Sequence, residues 1–479
     1  MATTTRISSD VPSERLSGKN SRVALNVMCL GMLMTVVDGT IVTIALPSIK
    51  RALNFSDTSV VWIVNAYLLC YAGFRLLGGR LSDLFSARKL FLLATAFFTF
   101  ASLACASANL PALLIVARGL QGVGGALITS TALSLIIRAF TEESRAKAIS
   151  YFGMAASSGG VVGLVIGGFL TQVFNWRALF LINLPIGIAV YLFGFRHLPQ
   201  LAIDSKVDRV DVGGAALLIA LPMILVYMVL QGNETGWYSS RTLILLLCSI
   251  SATVLFVRTE SRAHAPIIPL GIFRRRSLGA CIIATMLLSI ACSAVIFTSL
   301  YLQLVLKRSP LDASFTLIPS TLLVTPLSLG LSSKVVSYFG TKCSLMAGLT
   351  LTTFGLMLLT QTSVSGTAIE NVLPGTLFIS LGTGIAYMPL TLATVSCATT
   401  ADSGLISAIS GTSSILGNAL GLSILATLAS TRENTLLISG VDLQAALNGG
   451  YHVAFFAASI FAALGLIVTG VFIREPNSG

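Results

Sequence analysis

One carboxylate, Asp38, stands inside the apolar run MLMTVVDGTIVTIALP (residues 32–47). One arginine, Arg118, with Gln121 three residues on, stands inside another. An unpaired charge at the centre of a bilayer costs a few kcal/mol or more, so acids kept there usually mark the path of an ion or a substrate. Burial raises a carboxylate's pKa and a nearby cation lowers it. A carboxylate whose access to water changes between two states can therefore take up a proton on one side and release it on the other. The competing reading is a carboxylate tied permanently to a cation and serving packing alone. Enzymatic chemistry has little to work with. His197, His264 and His452 are far apart and fit no zinc spacing. The 8 cysteines are scattered without a CxxC pair and read as small core residues. GVGG (122–125) lacks the lysine-serine or lysine-threonine of a phosphate loop, so no ATP site is visible. No cofactor and no metal are expected, and the chain does not read as an enzyme.

The elements that hold these residues must be membrane helices. Of the 479 residues 55% are hydrophobic and 10% charged, and the mean hydropathy is +0.90, whereas soluble domains carry about 25% charged residues. Apolar segments long enough to span a bilayer recur along almost the whole chain, and the 42 glycines suit close helix contacts. Fourteen spans are predicted between residues 23 and 473, making an all-α polytopic membrane protein. If the N-terminus is cytoplasmic, most of the 30 lysines and arginines fall on cytoplasmic segments. That bias sets orientation, with both ends inside, and explains the +12 charge without nucleic acid. Residues 1–21 lack the apolar core of a signal peptide and read as a short polar tail.

An internal repeat is visible. GRLSDLFSARK, after the second span, resembles SKVVSYFGTK after the tenth, pairing Arg80 with Lys334 and Phe85 with Phe339. Gly122 and Gly124 of the fourth span pair with Gly382 and Gly384 of the twelfth, and Gly163 and Gly167 of the fifth with Gly417 and Gly421 of the thirteenth. The expected domains are a tail (1–21), a six-helix bundle (22–199), two additional helices with linkers (200–275), a second six-helix bundle (276–474) and a short tail (475–479). Two parallel repeats with a site between them are a secondary-transporter plan.

With these residues in view, the chain resembles the fourteen-helix drug:proton antiporter branch of the major facilitator superfamily. VDGTIVTIALPSI (37–49), GGRLSDLFSARK (78–89), ARGLQGVGGAL (117–127), GGVVGLVIGG (159–168), NWRALFLINLPIG (175–187) and YLQLVLKRSPLDASFTLIP (301–319) carry the likeness, in the branch's order. It implies a major facilitator fold of 6 + 2 + 6 helices and a proton-coupling pair of Asp38 with Arg118 beside a central cavity. It also implies a conformational latch of Arg80, Asp83, Arg88 and Lys89 that pairs across the halves in one state only. The fifth-span glycines Gly159, Gly160, Gly163, Gly167 and Gly168 are read as one helical face, packed statically or forming a sliding seam between the halves. Three departures stand out: Leu164 where the antiporter motif has proline, Ser86 where the inter-helix signature has glycine, and Arg75 where an aliphatic residue is usual. Arg75 is read either as snorkelling to the headgroups or as an extra cavity charge.

The resulting expectation is a proton-coupled exporter of lipophilic organic compounds in the bacterial cytoplasmic membrane. Its partners would be a small substrate, protons and the lipid bilayer, with no nucleic acid and no obligatory protein partner. Met34, Thr40, Trp62, Tyr67, Gln121, Tyr301, Tyr387 and Met388 are candidates for the cavity wall, which with one acid would suit neutral or cationic amphipathic molecules. A carrier for one metabolite, exporting or importing, is the alternative. A membrane scaffold would need a soluble domain that the short loops do not provide.

Overall fold

The apolar runs become helices that stand side by side; the outer ones bury one face and leave the other apolar and exposed, as lipid requires, while residues 31–50 of the first expose no side chain. The computed structural model describes residues 19–56, 58–200, 212–262, 276–327, 331–396 and 403–473. The expected tails, the connectors flanking the two extra spans (with His264) and Cys397 lie outside these residues. No strand occurs among them.

The first half holds α1 (Lys19–Leu53), α2 (Trp62–Leu84), α3 (Ala87–Ser107), α4 (Pro111–Ala139), α5 (Glu142–Val173), the short α6 (Ala178–Leu181) and α7 (Asn183–His197). Then follow α8 (Val212–Thr235) and α9 (Ser240–Arg262). The second half holds α10 (Arg276–Cys292), α11 (Val295–Leu300), α12 (Pro310–Pro326), α13 (Ser332–Leu359), the short α14 (Ala368–Asn371), α15 (Leu373–Ser396), α16 (Ser403–Ile438) and α17 (Leu443–Phe472). Among the described residues 11 helices are long and apolar enough to cross a bilayer, with shorter apolar helices at 59–75, 219–232 and 310–324.

The halves pack alike. In the first, α1 meets α5 and α7, α4 meets α2 and α3, and α3 meets α7. In the second, α10 meets α16 and α17, α15 meets α12 and α13, and α13 meets α17. The halves join through α5 with α12, α2 with α16, and α1 with α11. Gly163 lies against Val37 and Thr40 of α1, and Gly417 against Met286 and Ser289 of α10. Gly167 likewise meets Ile41 where Gly421 meets Ile290, so this part of the repeat is in the expected register. In the fourth-span pairing the partner helices are exchanged, with Gly124 facing α3 at Phe98. Gly122 faces α2 at Tyr67, whereas Gly382 faces α13 at Thr352; it is Gly384 that faces Leu327 at the end of α12. The two glycine pairs share their spacing, and only the helix each one touches fixes the register.

The turn motif is also built two ways. Gly340 has φ 77° inside α13, where an L side chain is strained. Ser86 has φ −58°, an ordinary angle, so serine is accommodated where the motif usually has glycine.

One hydrophobic core crosses both halves at the end where α1 runs into α2, drawing on Leu46, Ile63 and Phe180 and on Phe297, Leu359 and Leu425. At the opposite end, where α2 turns into α3, each half has its own core, around Phe91 and Leu135 in one and Leu345 and Leu390 in the other. The molecule is joined at the α1–α2 end and divided at the α2–α3 end. Hydrogen bonds reinforce the joined end: Asn65 Nδ2 donates to Ser423 Oγ at 2.8 Å, Gln303 Nε2 to the Ile44 carbonyl at 2.9 Å, and the Leu311 amide to Gln172 Oε1 at 3.3 Å. Helix α8 lies on the α2–α16 seam, with Tyr227 against Trp62 at 6.2 Å between rings and Ile219 in the notch at Gly73. Helix α9 packs on α8 and exposes Ile244, Leu247, Ile250 and Leu255.

Candidate functional site: a buried ion pair beside a neutral cavity

Asp38 is 0% exposed and Arg118 1%. Arg118 Nη1 donates to Asp38 Oδ2 at 2.5 Å and to Gln121 Oε1 at 2.8 Å, and its Nε donates to the Ile63 carbonyl at 3.0 Å. Asp38 Oδ1 accepts from Gln121 Nε2 at 3.0 Å and from Asn183 Nδ2 at 2.7 Å. Gln121 also donates to Ser102 Oγ at 2.7 Å and accepts from Cys105 Sγ at 3.1 Å. The Arg118 guanidinium lies 4.4 Å from the centre of the Tyr67 ring, and Tyr67 donates its hydroxyl to the Thr35 carbonyl at 3.0 Å, one turn before Asp38. Five helices of the first half, α1, α2, α3, α4 and α7, thus close around one carboxylate. Both charges are paired and hydrogen-bonded, the condition under which buried ions are tolerable.

The repeat does not copy this site. The α1–α10 register set by Gly163 and Gly417 brings Leu287 to the position of Asp38 in the second half. Sequence reasoning found Asp38, Arg118 and Gln121 but missed Asn183, Ser102 and Cys105. Asn183 had a signal, as a lone amide in the apolar run before Pro185; Ser102 and Cys105 had none, being common small residues of membrane helices.

A cavity of about 590 Å³ lies between the halves. Gly39 and Thr40 of α1 and Leu164 of α5 line one side; Ser320, Thr321, Thr376, Ser380, Thr383, Tyr387 and Asn418 supply a polar wall from the second half. Among the described residues no charged side chain lines it. Asp38 directly precedes the lining residue Gly39 and stands two residues before Thr40, yet its carboxylate turns away into the first half. Of the residues expected at the cavity, Thr40 and Tyr387 line it. Met34 is in the first-half core, Tyr67 lies under Arg118, and Gln121 belongs to the ion-pair network. Trp62 packs on Tyr227, and Tyr301 donates to the Ser363 carbonyl at 2.6 Å. Met388 is half-buried and is not among the lining residues.

The fifth-span glycines occupy two faces rather than one. Gly159, Gly163 and Gly167 pack on Val36, Thr40 and Ile41 of α1, inside the first half. Gly160 and Gly168 face Thr321 and Ser314 of α12, across the seam. Leu164 falls between these two and forms cavity wall, on an α5 that runs unbroken through it. At the expected latch, the side chains of Arg80 and Asp83 lie outside the described residues. Arg88 donates to the Phe195 carbonyl and stacks 5.7 Å from the Phe195 ring, so its contacts stay within the first half, and Lys89 is exposed.

Two similar helical halves, a cavity between them and a buried ion pair beside it define a membrane transporter of the secondary type. The chain belongs to the Major Facilitator Superfamily, whose family model matches residues 28–422. It is 31% identical to the puromycin resistance protein pur8 of Streptomyces alboniger, covering 93% of this chain and 89% of that one. It is 30% identical to the cephamycin export protein CmcT of Amycolatopsis lactamdurans (94% and 92% covered) and 32% identical to the tetracenomycin C resistance and export protein of Streptomyces glaucescens (88% and 78% covered). The fold is similar to that of a bacterial homolog of the human lysosomal transporter Spinster, with a TM-score of 0.67 at 14% identity over 97% and 100% of the two chains. It is likewise similar to that of a D-xylose-proton symporter, with a TM-score of 0.68 at 14% identity over 95% and 98%.

Proposed function

We propose that the protein exports amphipathic organic compounds from a bacterial cytoplasm in exchange for protons, and that Asp38 carries the proton. The observation that carries this reading is the fully buried Asp38–Arg118 pair, with Asp38 one and two residues before the cavity-lining Gly39 and Thr40. Protonating Asp38 removes the counter-charge of a fully buried Arg118, and an uncompensated buried charge is strongly destabilising. The packing described above therefore suits the deprotonated carboxylate. Proton binding favours an arrangement in which Arg118 gains water or another partner, and α1 transmits that change to the cavity. The resistance and export names of the relatives support the direction of transport.

Eleven long and three shorter apolar helices support the fourteen spans. We take them as two six-helix bundles, 22–199 and 276–474, with two extra helices within 200–275. Both termini are placed in the cytoplasm on the distribution of cations, which makes the divided α2–α3 end the inward-facing one. The neutral cavity favours uncharged amphipathic bodies over lipophilic cations, because no acid reaches the lining. A carrier dedicated to one metabolite is favoured by the many hydroxyls of the cavity wall, and would be recognised by inhibition from a narrow set of compounds.

The test is accumulation of the neutral dye Nile red in cells expressing the wild type or Asp38→Asn, with and without an uncoupler. Lower accumulation in the wild type alone, abolished by the uncoupler, is the expected result. Equal accumulation in both, with both proteins shown to be in the membrane, would remove broad proton-driven export.

A further inference from the structure

Two arginines lie inside the membrane-spanning part of the first half, and they differ in one respect. Arg118 is ion-paired and hydrogen-bonded, whereas Arg75 has no hydrogen bond, ion pair or ring contact among the described residues. Arg75 is nine residues from the end of α2, about 13 Å into the helix at 1.5 Å per residue. Its guanidinium reaches across the α2–α16 seam, so that a Cβ built at Gly411 would lie 3.4 Å from its Cζ. There it enters a second cavity, of about 190 Å³, lined by Thr285, Tyr387, Thr391, Ser407, Ser410 and Gly411 among others. Among the described residues, every polar side chain in that lining except Arg75 itself is a hydroxyl, and none is a carboxylate.

A guanidinium stays charged at any working pH. Ionisable groups at this depth are normally paired or face a functional cavity. The planar fork presents parallel N–H groups that match a carboxylate, and the hydroxyls can donate to its remaining lone pairs. Tyr387 borders both cavities, with its hydroxyl 3.3 Å from Ser414 Oγ. A ligand whose body fills the central cavity can thus place one end beyond Tyr387 and against Arg75.

We propose that the Arg75 cavity is a subsite for an acidic group of the transported compound, so that the cargo includes amphipathic carboxylates. This rests on the reading of the central cavity as the substrate site. The subsite spans α2 of one half and α15 and α16 of the other, so an anion seated there also draws the divided end together. The polarity is opposite to that expected from a lone acid in the membrane. The charge that meets the substrate is positive, while the acid stays inside its own half.

The test is displacement of Nile red from the purified protein by 2-naphthoate and by its uncharged isostere 2-naphthamide. In the wild type the acid is expected to displace the dye at about one-tenth the concentration the amide needs, a ratio in line with a charge-assisted hydrogen-bonded pair. Arg75→Gln should bring the ratio to about one, and Arg75→Lys should keep part of it. Gly411→Val, which fills the subsite while leaving the charge, should also abolish it. A ratio of one in the wild type, or an unchanged ratio in Arg75→Gln, would overturn the proposal. Loss of the wild-type ratio on adding phosphatidylglycerol would assign the cation to lipid phosphate and overturn it equally. The export reading fails separately, in the cell assay, if Nile red accumulation does not depend on the protein; the displacement ratio is decided either way.

Discussion

At the scale of the residue, the chemistry depends on a carboxylate that is buried without being stranded. Two amides and a guanidinium hold Asp38 from three sides. Removing one member of such a pair leaves the other charged and dry, which costs about 3–5 kcal/mol, whereas replacing both with apolar groups of similar volume is often neutral. Arg118→Met and Asp38→Leu should each destabilise the protein by that amount, as measured by denaturation in mixed micelles. The double variant should recover most of the loss while remaining unable to transport. A double variant as unstable as the sum of the singles would show that the pair is not an isolated electrostatic unit. Asp38, Arg118 and Gln121 were legible in the sequence because charges and amides are conspicuous in apolar helices. Where the Asp38 carboxylate points was not: residues two apart in a helix lie about 200° apart around its axis, so Thr40 reaches the cavity while Asp38 turns inward. No composition argument resolves that angle.

At the scale of the element, α5 serves two neighbours with two sets of glycines. A side chain at Gly163 would meet Thr40 Cβ at 2.9 Å and the Val37 carbonyl at 3.2 Å, whereas one at Gly160 has ordinary contact with Thr321 at 3.4 Å. Gly163→Val should force α5 from α1 and cost about 1–3 kcal/mol, the usual penalty for overpacking. Gly160→Ala should leave stability within about 0.5 kcal/mol and alter transport rate instead, because its neighbour belongs to the half that must move. A melting comparison with a transport assay separates the two, and equal destabilisation by both would refute the division of faces. The existence of the helices and the in-phase repeat of α5 and α16 could be read from apolar length and glycine spacing. The register of α4 against α15 could not, because glycines two residues apart offer two alignments of equal merit and only the partner helix selects one.

At the scale of the whole molecule, the halves share a core at one end and part at the other. A carrier of this plan works by rocking the halves about a fixed midplane site, so the α1–α2 end must open in turn. Asn65 and Ser423 meet across that end at 2.8 Å. In a protein freed of its native cysteines, Asn65→Cys with Ser423→Cys should form a disulfide readily and abolish transport, with recovery on reduction. Full transport by the cross-linked protein would mean that this end does not open. Helix α8, seated on the same seam with α9 outside it, adds a brace on the α2–α16 side that, among the described residues, the α5–α12 side lacks.

The most direct measurement of the central claim follows protons. Proteoliposomes holding purified protein and trapped pyranine would be given Nile red from outside, and the internal pH followed. The wild type should move protons against the dye, and Asp38→Asn should still bind Nile red but move none. Proton movement persisting in Asp38→Asn would contradict the claim, since the carboxylate said to carry the proton would be absent.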